Sequence, residues 1–309
     1  MYILAFLVKA LLSTTFVIAQ KALAIVSPVF LIGFRMTSAG LLLLGTLAIF
    51  SRKQFKLKKT DLLTFAKISF FHIYLAFIAE FWGLQYISGP KVALLFNFGP
   101  FITAILSYFM LRERLIWQQI LGLIISFLGF LLIIFEQVPA EQIAGEIFSI
   151  SLPEIAILVS SASSVYAWIT IQKLSTKNYS PVFINGIGML GGGCLALLTV
   201  PLFETYPSLN LAQFGEVTLW VGLLILISNV FCYNMYTWLL KRYSATFLSI
   251  TGLTIPVFAA LWEWLFLSKA MSLNFYFSLI IISTGLILFY LGESKRLARL
   301  TAQISEHAS

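Results

Sequence analysis

Charge is scarce in this sequence. Asp, Glu, Lys and Arg make up only 10% of its 309 residues, against about 25% in an ordinary soluble domain, and that shortage excludes a soluble globular fold. Cysteine is scarcer still. Cys194 and Cys232 are the only two, both lie inside apolar runs, and two cysteines cannot build a disulfide framework of the secreted kind, so they read as small hydrophobes. A single histidine, His72, falls within an apolar run and no cluster of metal ligands accompanies it, which leaves an intramembrane enzyme without a converging catalytic set. The glycine-rich stretch from Gly186 through Gly188 to Gly191, Gly192 and Gly193 lacks the Lys and Ser/Thr of a phosphate-binding loop and reads as a close-packing surface.

Hydrophobic side chains supply 60% of the chain. Stretches of about 20 apolar residues, the length that crosses a bilayer, recur almost throughout. They predict ten spans, at 2–25, 29–50, 62–87, 92–111, 117–135, 152–172, 182–202, 217–240, 245–267 and 275–291, with no room for a separate soluble domain. Lys9, the apolar run after it and Ala22-Leu23-Ala24 loosely resemble a cleavable signal peptide. The apolar run begins before Lys9 and is long enough to span, so these residues are assigned to the mature fold.

The 20 basic residues outnumber the 12 acidic ones, but they sit in short inter-helix loops rather than on an aromatic platform, which argues against nucleic acid. Counted by the positive-inside rule, Arg52, Lys53, Lys56, Lys58, Lys59, Lys67, Arg112, Arg114, Lys173, Lys177, Lys241, Arg242, Lys295, Arg296 and Arg299 fall on one side and only Lys21, Lys91 and Lys269 on the other. The second side carries acids instead: Glu136, Glu141, Glu146 and Glu154, then Glu204 and Glu216. Both termini are therefore expected to be cytoplasmic.

The chain also repeats itself. Ser27-Pro28-Val29-Phe30 with Gly33 and Met36 returns as Ser180-Pro181-Val182-Phe183 with Gly186 and Met189, an offset of 153, and Gln20-Lys21 returns as Gln172-Lys173. Trp82, Pro100, Leu111 and Gly129 return as Trp238, Pro256, Leu267 and Gly285, an offset of 156. Each half holds five spans, and an odd number sends the second copy into the bilayer from the opposite side. The expected fold is all-α and integral to the membrane, with ten transmembrane helices as two inverted five-helix repeats.

Arg35, the run from Gly83 through Pro100 to Leu111-Arg112-Glu113-Arg114-Leu115, and Gln119 with Gly122 and Gly129 resemble the drug/metabolite transporter superfamily, in particular its ten-span members with two EamA-type domains. The likeness extends from the first span through the last. It implies one such domain over 1–138, an outer acidic loop over 139–154, a second domain over 155–293 and a cytoplasmic polar tail over 294–309. It also implies a secondary transporter with a midplane cavity between the halves, lined mainly by helices one, three, four, six, eight and nine. The second half departs from the pattern, with Lys269 where a Glu like Glu113 belongs and Gly188 opposite Arg35, so a role for either residue does not extend to both halves.

Ionisable groups inside spans are costly and face protein or a water-filled cavity. Arg35, Glu80 and Asn97 each lie seven residues inside a span end, roughly 10 Å deep at 1.5 Å per residue, and form a polar layer; an Arg35 to Glu80 ion pair and a direct substrate role both fit it. Lys9 is placed nearer the inner end. His72, Ala76 and Glu80 share one helical face by spacing, which offers a proton or cation relay, with a hydrogen-bonded helix contact as the plainer expectation for His72. In the fourth span Ala93, Asn97, Pro100, Ala104 and Ser107 form a small polar face that the repeat maps onto Ser249, Leu253, Pro256, Ala260 and Glu263 in the ninth. Small residues serve packing; an amide at Asn97 and a carboxylate at Glu263 are not needed for it. Pro100 and Pro256 each remove a helical hydrogen bond and are the candidate hinges. Asn229 and Tyr233 in the eighth span and Tyr166 with Trp168 in the sixth are cavity candidates, Tyr236 and Trp238 fit an interfacial aromatic belt, and Gln20 of the repeated Gln-Lys pair joins the set.

Together these readings predict a non-enzymatic secondary transporter of the cytoplasmic (inner) membrane that works by alternating access. It needs a small-molecule substrate and the lipid bilayer, and no cofactor, metal or nucleic acid; oligomeric state is not legible. Glu80 and Glu263 facing an amino or sulfonium charge, with aromatics holding the body, favour amino-acid-like, zwitterionic or cationic metabolites, S-adenosylmethionine among them. Export of drug-like compounds is the alternative, and a passive channel or scaffold is a further class.

Overall fold

The structure, a computed structural model, describes residues 2–55, 57–86, 92, 95–137, 151–255, 257–258, 261–262, 265 and 273–308. Among them the chain is helical apart from its connections. The helices are α1 (Tyr2–Leu23), α2 (Pro28–Phe50), α3 (Leu62–Ile68), α4 (Ala76–Leu84), α5 (Gly99–Leu111), α6 (Trp117–Gln137), α7 (Leu152–Ser175), α8 (Pro181–Phe203), α9 (Leu211–Leu224), α10 (Tyr233–Leu239), α11 (Ala245–Ile250) and α12 (Leu273–Ala308). Seven helical stretches are long and apolar enough to cross a membrane, and Gly99–Leu111, Trp117–Leu132 and Ala245–Thr254 are shorter apolar helices that fall where the fourth, fifth and ninth spans were expected. Exposed Leu41, Ile49, Leu198, Leu219 and Ile280 are the side chains such a protein turns to lipid. This is an integral membrane protein.

The repeated Ser-Pro pairs are helix starts. Ser27 and Ser180 take extended backbone just before α2 and α8, and Pro28 and Pro181 open the first turn, where a missing N–H costs nothing. The two caps differ: the Ser180 hydroxyl accepts from Phe183 N at 3.2 Å, whereas the first turn of α2 donates from Val29 N to both carboxylate oxygens of Glu204 at 3.1 Å. A carboxylate is favoured at that end of a helix, and here it ties the end of α8 to the start of α2.

Glycine seams reveal how the halves join. A Cβ at Gly33 would lie 2.8 Å from Leu197 and one at Gly186 2.9 Å from Leu44; at Gly40 it would lie 2.5 Å from Leu190 N and at Gly193 2.5 Å from Thr37 N. Each contact is the other's image under the 153 offset, and residue numbers rise along α2 as they fall along α8. The same holds for α6 against α12: a Cβ at Gly129 would lie 2.9 Å from Ile282 N and one at Gly285 2.5 Å from Ser126 N. Equivalent helices thus pack antiparallel around a local two-fold, which is the geometry of an inverted repeat.

Four stretches in the interior of the expected spans depart from regular α-helix among the described residues. Ser69–Leu75 between α3 and α4 and Ile225–Cys232 between α9 and α10 are π-helical. Thr251–Thr254 after α11 is a 3-10 turn, and the chain turns at Asn97 and Phe98 just before α5. Under the 156 offset the two π segments are mates, and so are the turn and the 3-10 stretch. Pro100 explains the first break, since it has no N–H for the carbonyl of Phe96; that carbonyl instead accepts from Ser161 Oγ at 3.1 Å. Pro256, its expected partner hinge, lies outside the described residues.

At the basic end, Asp61 is buried between the halves. Lys177 Nζ reaches it at 2.7 Å and the Tyr179 hydroxyl donates to it at 2.9 Å. These two bonds, the lysine's first, hold the Asp61 carboxyl below the usual carboxylate range. Nearby, Gln119 donates to Glu293 at 2.7 Å, and Arg296 lies 3.7 Å from Glu113. Burial pushes the Glu113 carboxyl up, opposed by Arg296.

Candidate functional site

The second π segment carries the polar floor of the site. A π turn widens the helix and turns side chains that regular spacing would bury elsewhere; here it presents Ser228 and Asn229 to α2. Arg35 Nε donates to Asn229 Oδ1 at 2.9 Å and Arg35 Nη2 to Ser228 Oγ at 2.8 Å. Asn229 is fully buried, and its amide nitrogen faces Met36 Sδ at 3.2 Å and Met189 Sδ at 3.5 Å. The expected Arg35 to Glu80 pair is not formed: the guanidinium is bonded instead to an amide and a hydroxyl from the other half. Glu80 is half-buried and, among the described residues, makes no hydrogen bond or ion pair. It shares with Arg35 an electrostatic neighbour, the Tyr233 hydroxyl.

From Tyr233 the site continues as a run of tilted and edge-on aromatic rings. The His72 ring centroid lies 4.4 Å from Trp168 and 5.4 Å from Tyr233, and Trp168 lies 5.6 Å from Tyr233 and 4.3 Å from Tyr236. His72 is buried, and neither ring nitrogen has a hydrogen-bond partner, so the hydrogen-bonded contact expected of it is replaced by aromatic faces. The first π segment, in which His72 sits, displaces it from a simple stripe with Ala76 and Glu80. Both His72 and Glu80 nonetheless converge on Tyr233.

Lys9 closes the far end. Its ammonium lies over the Tyr236 ring, 4.6 Å from the centroid, and the residue is buried. α1 is held there by Trp262, whose indole N–H donates to Ala10 O at 3.1 Å and Ser13 Oγ at 2.9 Å. Lys9, Tyr236 and Ser228 were not among the residues picked out as a site. Tyr236, at helical spacing from Asn229 and Tyr233, was read as part of an interfacial belt, whereas it is buried beside Trp168.

The remaining candidates divide. Tyr166 meets Phe71 edge to face at 4.9 Å, at the edge of the cluster. Asn97 is half-buried at the break before α5. Gln20 is exposed near the end of α1. Pro100 is buried in the first turn of α5, and Ser249 of the expected ninth-span face is met there by Thr103, which was not part of the expected fourth-span face, Thr103 Oγ donating to Ser249 Oγ at 3.0 Å. Ala104 lies elsewhere, lining with Ile105, Tyr108 and Phe109 an open groove of about 610 Å³ on the outside of α5. Ala93, Ala260 and Glu263 lie outside the described residues. No group of three or more metal-ligating side chains occurs among the described residues.

The profile of the EamA-like transporter family matches residues 1–135 and 151–291. The S-adenosylmethionine/S-adenosylhomocysteine transporter of Chlamydia muridarum (strain MoPn / Nigg) is 30% identical over 295 residues, which cover 95% of this chain and 92% of that one. Its counterpart in Chlamydia trachomatis serovar L2 is 29% identical over 305 residues, covering 97% and 92%. The uncharacterized transporter YoaV of Bacillus subtilis (strain 168) is 24% identical over 216 residues, covering 70% and 71%. A solved crystal structure shares the fold with a TM-score of 0.74 at 15% identity, covering 94% of this chain and 97% of that one.

Proposed function

Because the chain belongs to the EamA-like transporter family, and is therefore a membrane transporter rather than an enzyme, we propose that its substrates are S-adenosylmethionine and S-adenosylhomocysteine. One observation carries this reading: relatives named for that activity align with it at about 30% identity over nearly its whole length. The site fits the chemistry. The ring faces of Trp168, Tyr233 and Tyr236 suit both an adenine and a sulfonium, because an onium charge is attracted to aromatic faces. Glu80, with no partner of its own among the described residues, is the group we assign to the sulfonium or amino charge, and Arg35, fixed by Asn229 and Ser228, shapes the polar wall beside it.

Transport is assigned to alternating access around this site, in a ten-span chain in the bacterial inner membrane, and the loop charges support cytoplasmic termini. Glu263 is assigned as a second carboxylate for the cationic charge of the substrate, with Asn97 and Tyr166 at the margin of the site. The test is counterflow in proteoliposomes. Vesicles loaded with unlabelled S-adenosylhomocysteine should accumulate labelled S-adenosylmethionine saturably, and cold S-adenosylmethionine should compete. Absence of saturable uptake under either loading overturns the substrate assignment, and non-saturating flux would mark a pore.

A further inference from the structure

Lys9 and its surroundings make sense only against their mates in the other half. The repeated Gln20-Lys21 and Gln172-Lys173 pairs are offset by 152, which pairs Lys9 with Ser161. The 156 offset pairs the 3-10 stretch of the ninth span with the turn of the fourth, and so Gly252 with Phe96. In the first pairing Ser161 Oγ donates to Phe96 O at 3.1 Å: a small hydroxyl satisfies the carbonyl that Pro100 leaves free, and the contact is closed. In the second, a Cβ built on Gly252 would come, among the described residues, to ordinary contact distance of Lys9 Nζ, 3.9 Å. The hydroxyl has become an ammonium and the phenyl ring has been deleted, so that the ammonium lies beside bare backbone. Structural closure of a broken helix is achieved by the serine version, so it does not account for the lysine.

The lysine is also short of a partner. It is 8% exposed, it rests on the face of Tyr236, and among the described residues no carboxylate pairs with it. A single ring face offsets only part of what burying an ammonium costs. At the other end of the same aromatic run stands Glu80, a carboxylate with no cation of its own. One unmatched cation and one unmatched anion, joined by a run of aromatic rings, are complementary to a zwitterion with a flat body.

We propose that Lys9, presented on the Tyr236 ring beside Gly252, is the anchor for the carboxylate of the substrate. The assignment rests on the substrate reading above, and it makes Lys9 and Gly252 determinants of specificity for α-amino acid conjugates over their decarboxylated forms.

The experiment compares uptake of S-adenosylmethionine with that of decarboxylated S-adenosylmethionine, in wild type and in Lys9→Met, Lys9→Arg and Gly252→Leu. Wild type should prefer the carboxylated compound in kcat/KM by about 10-fold or more, the worth of one charge-assisted hydrogen bond. Lys9→Met should bring that ratio close to one through a raised KM for S-adenosylmethionine, and Lys9→Arg should restore part of it. Gly252→Leu, which crowds the ammonium and keeps the lysine, should raise the same KM. An unchanged ratio in Lys9→Met overturns the anchor while leaving the substrate assignment intact. A wild type that carries neither S-adenosylmethionine nor S-adenosylhomocysteine ends the substrate assignment and this one with it. If Lys9→Met fails to insert, Gly252→Leu decides: an unchanged KM there overturns the proposal.

Discussion

The π segments Ser69–Leu75 and Ile225–Cys232 are mates in the repeat, yet they are held in opposite ways. Around the first, free carbonyls are bonded from the other half: Ser163 Oγ donates to Phe71 O at 2.8 Å and Ser160 Oγ to Ala76 O at 2.7 Å. Around the second, the helix serves itself, Asn234 Nδ2 donating to Val230 O at 2.8 Å and Asn229 O at 3.2 Å. The mate of Asn234 is Ile78, which has nothing to donate. The first irregularity therefore fastens the halves together, and the second leaves Ser228 and Asn229 free to grip Arg35. One backbone defect, duplicated, has become a fastening in one copy and a binding wall in the other.

The largest way to break this comparison is at Arg35. Arg35→Ala should lower transport by at least about 10-fold, since it orphans the buried Asn229 and Ser228 groups, and Arg35→Lys should recover little because an ammonium cannot reproduce the Nε and Nη2 fork; initial uptake rates at matched protein levels check both. Next is Asn234→Ile, which copies the first half onto the second. It should destabilise by about 1–3 kcal/mol for each buried group left unsatisfied, read as a lowered unfolding midpoint in detergent, and a wild-type midpoint would show that the second segment does not need its internal donor. Ser160→Ala and Ser163→Ala should cost about 1 kcal/mol each and combine nearly additively; strong non-additivity would mean the two serines act as one contact.

The smallest effect concerns Asp61, which joins the halves at the basic end. Its carboxyl is held below the ordinary value, so its bonds to Lys177 and Tyr179 contribute stability above an unfolded value of about 3.9 that is lost as pH falls through the lower folded one. Asp61→Asn should melt earlier than wild type at pH 7, and the gap should close on acidification. A gap independent of pH would assign the loss to packing instead.

Much of this architecture is legible in the residues. The offsets of 153 and 156 foretell the reciprocal contacts of Gly40 with Leu190 and Gly193 with Thr37, because a short-range match between two halves carries their shared packing with it. Seven long helices follow from hydrophobic length alone. The π segments do not announce themselves, since the side chains that make them affordable, Ser160 and Ser163, stand some ninety positions away. For the same reason Arg35 was matched with the charge of Glu80 rather than with Asn229, 194 residues distant. Of the candidate site, Arg35, His72, Trp168, Asn229 and Tyr233 are brought together, while Gln20 is exposed near the end of α1 and Lys9, noted only as an ionisable group near the inner end, was left out of the set: spacing assigns a residue to a face but not to the helix opposite.

The glycine seams carry a mechanical consequence. Where Gly40 and Gly193, or Gly129 and Gly285, set backbone against backbone, there is no layer of side chains to shear or repack, and α2 with α8 and α6 with α12 behave as fixed posts. All four irregular stretches, at 69–75, 97–98, 225–232 and 251–254, lie on chain segments that belong to neither post. The molecule separates its frame from its joints, and the aromatic run from Tyr233 to Lys9 hangs on the joints.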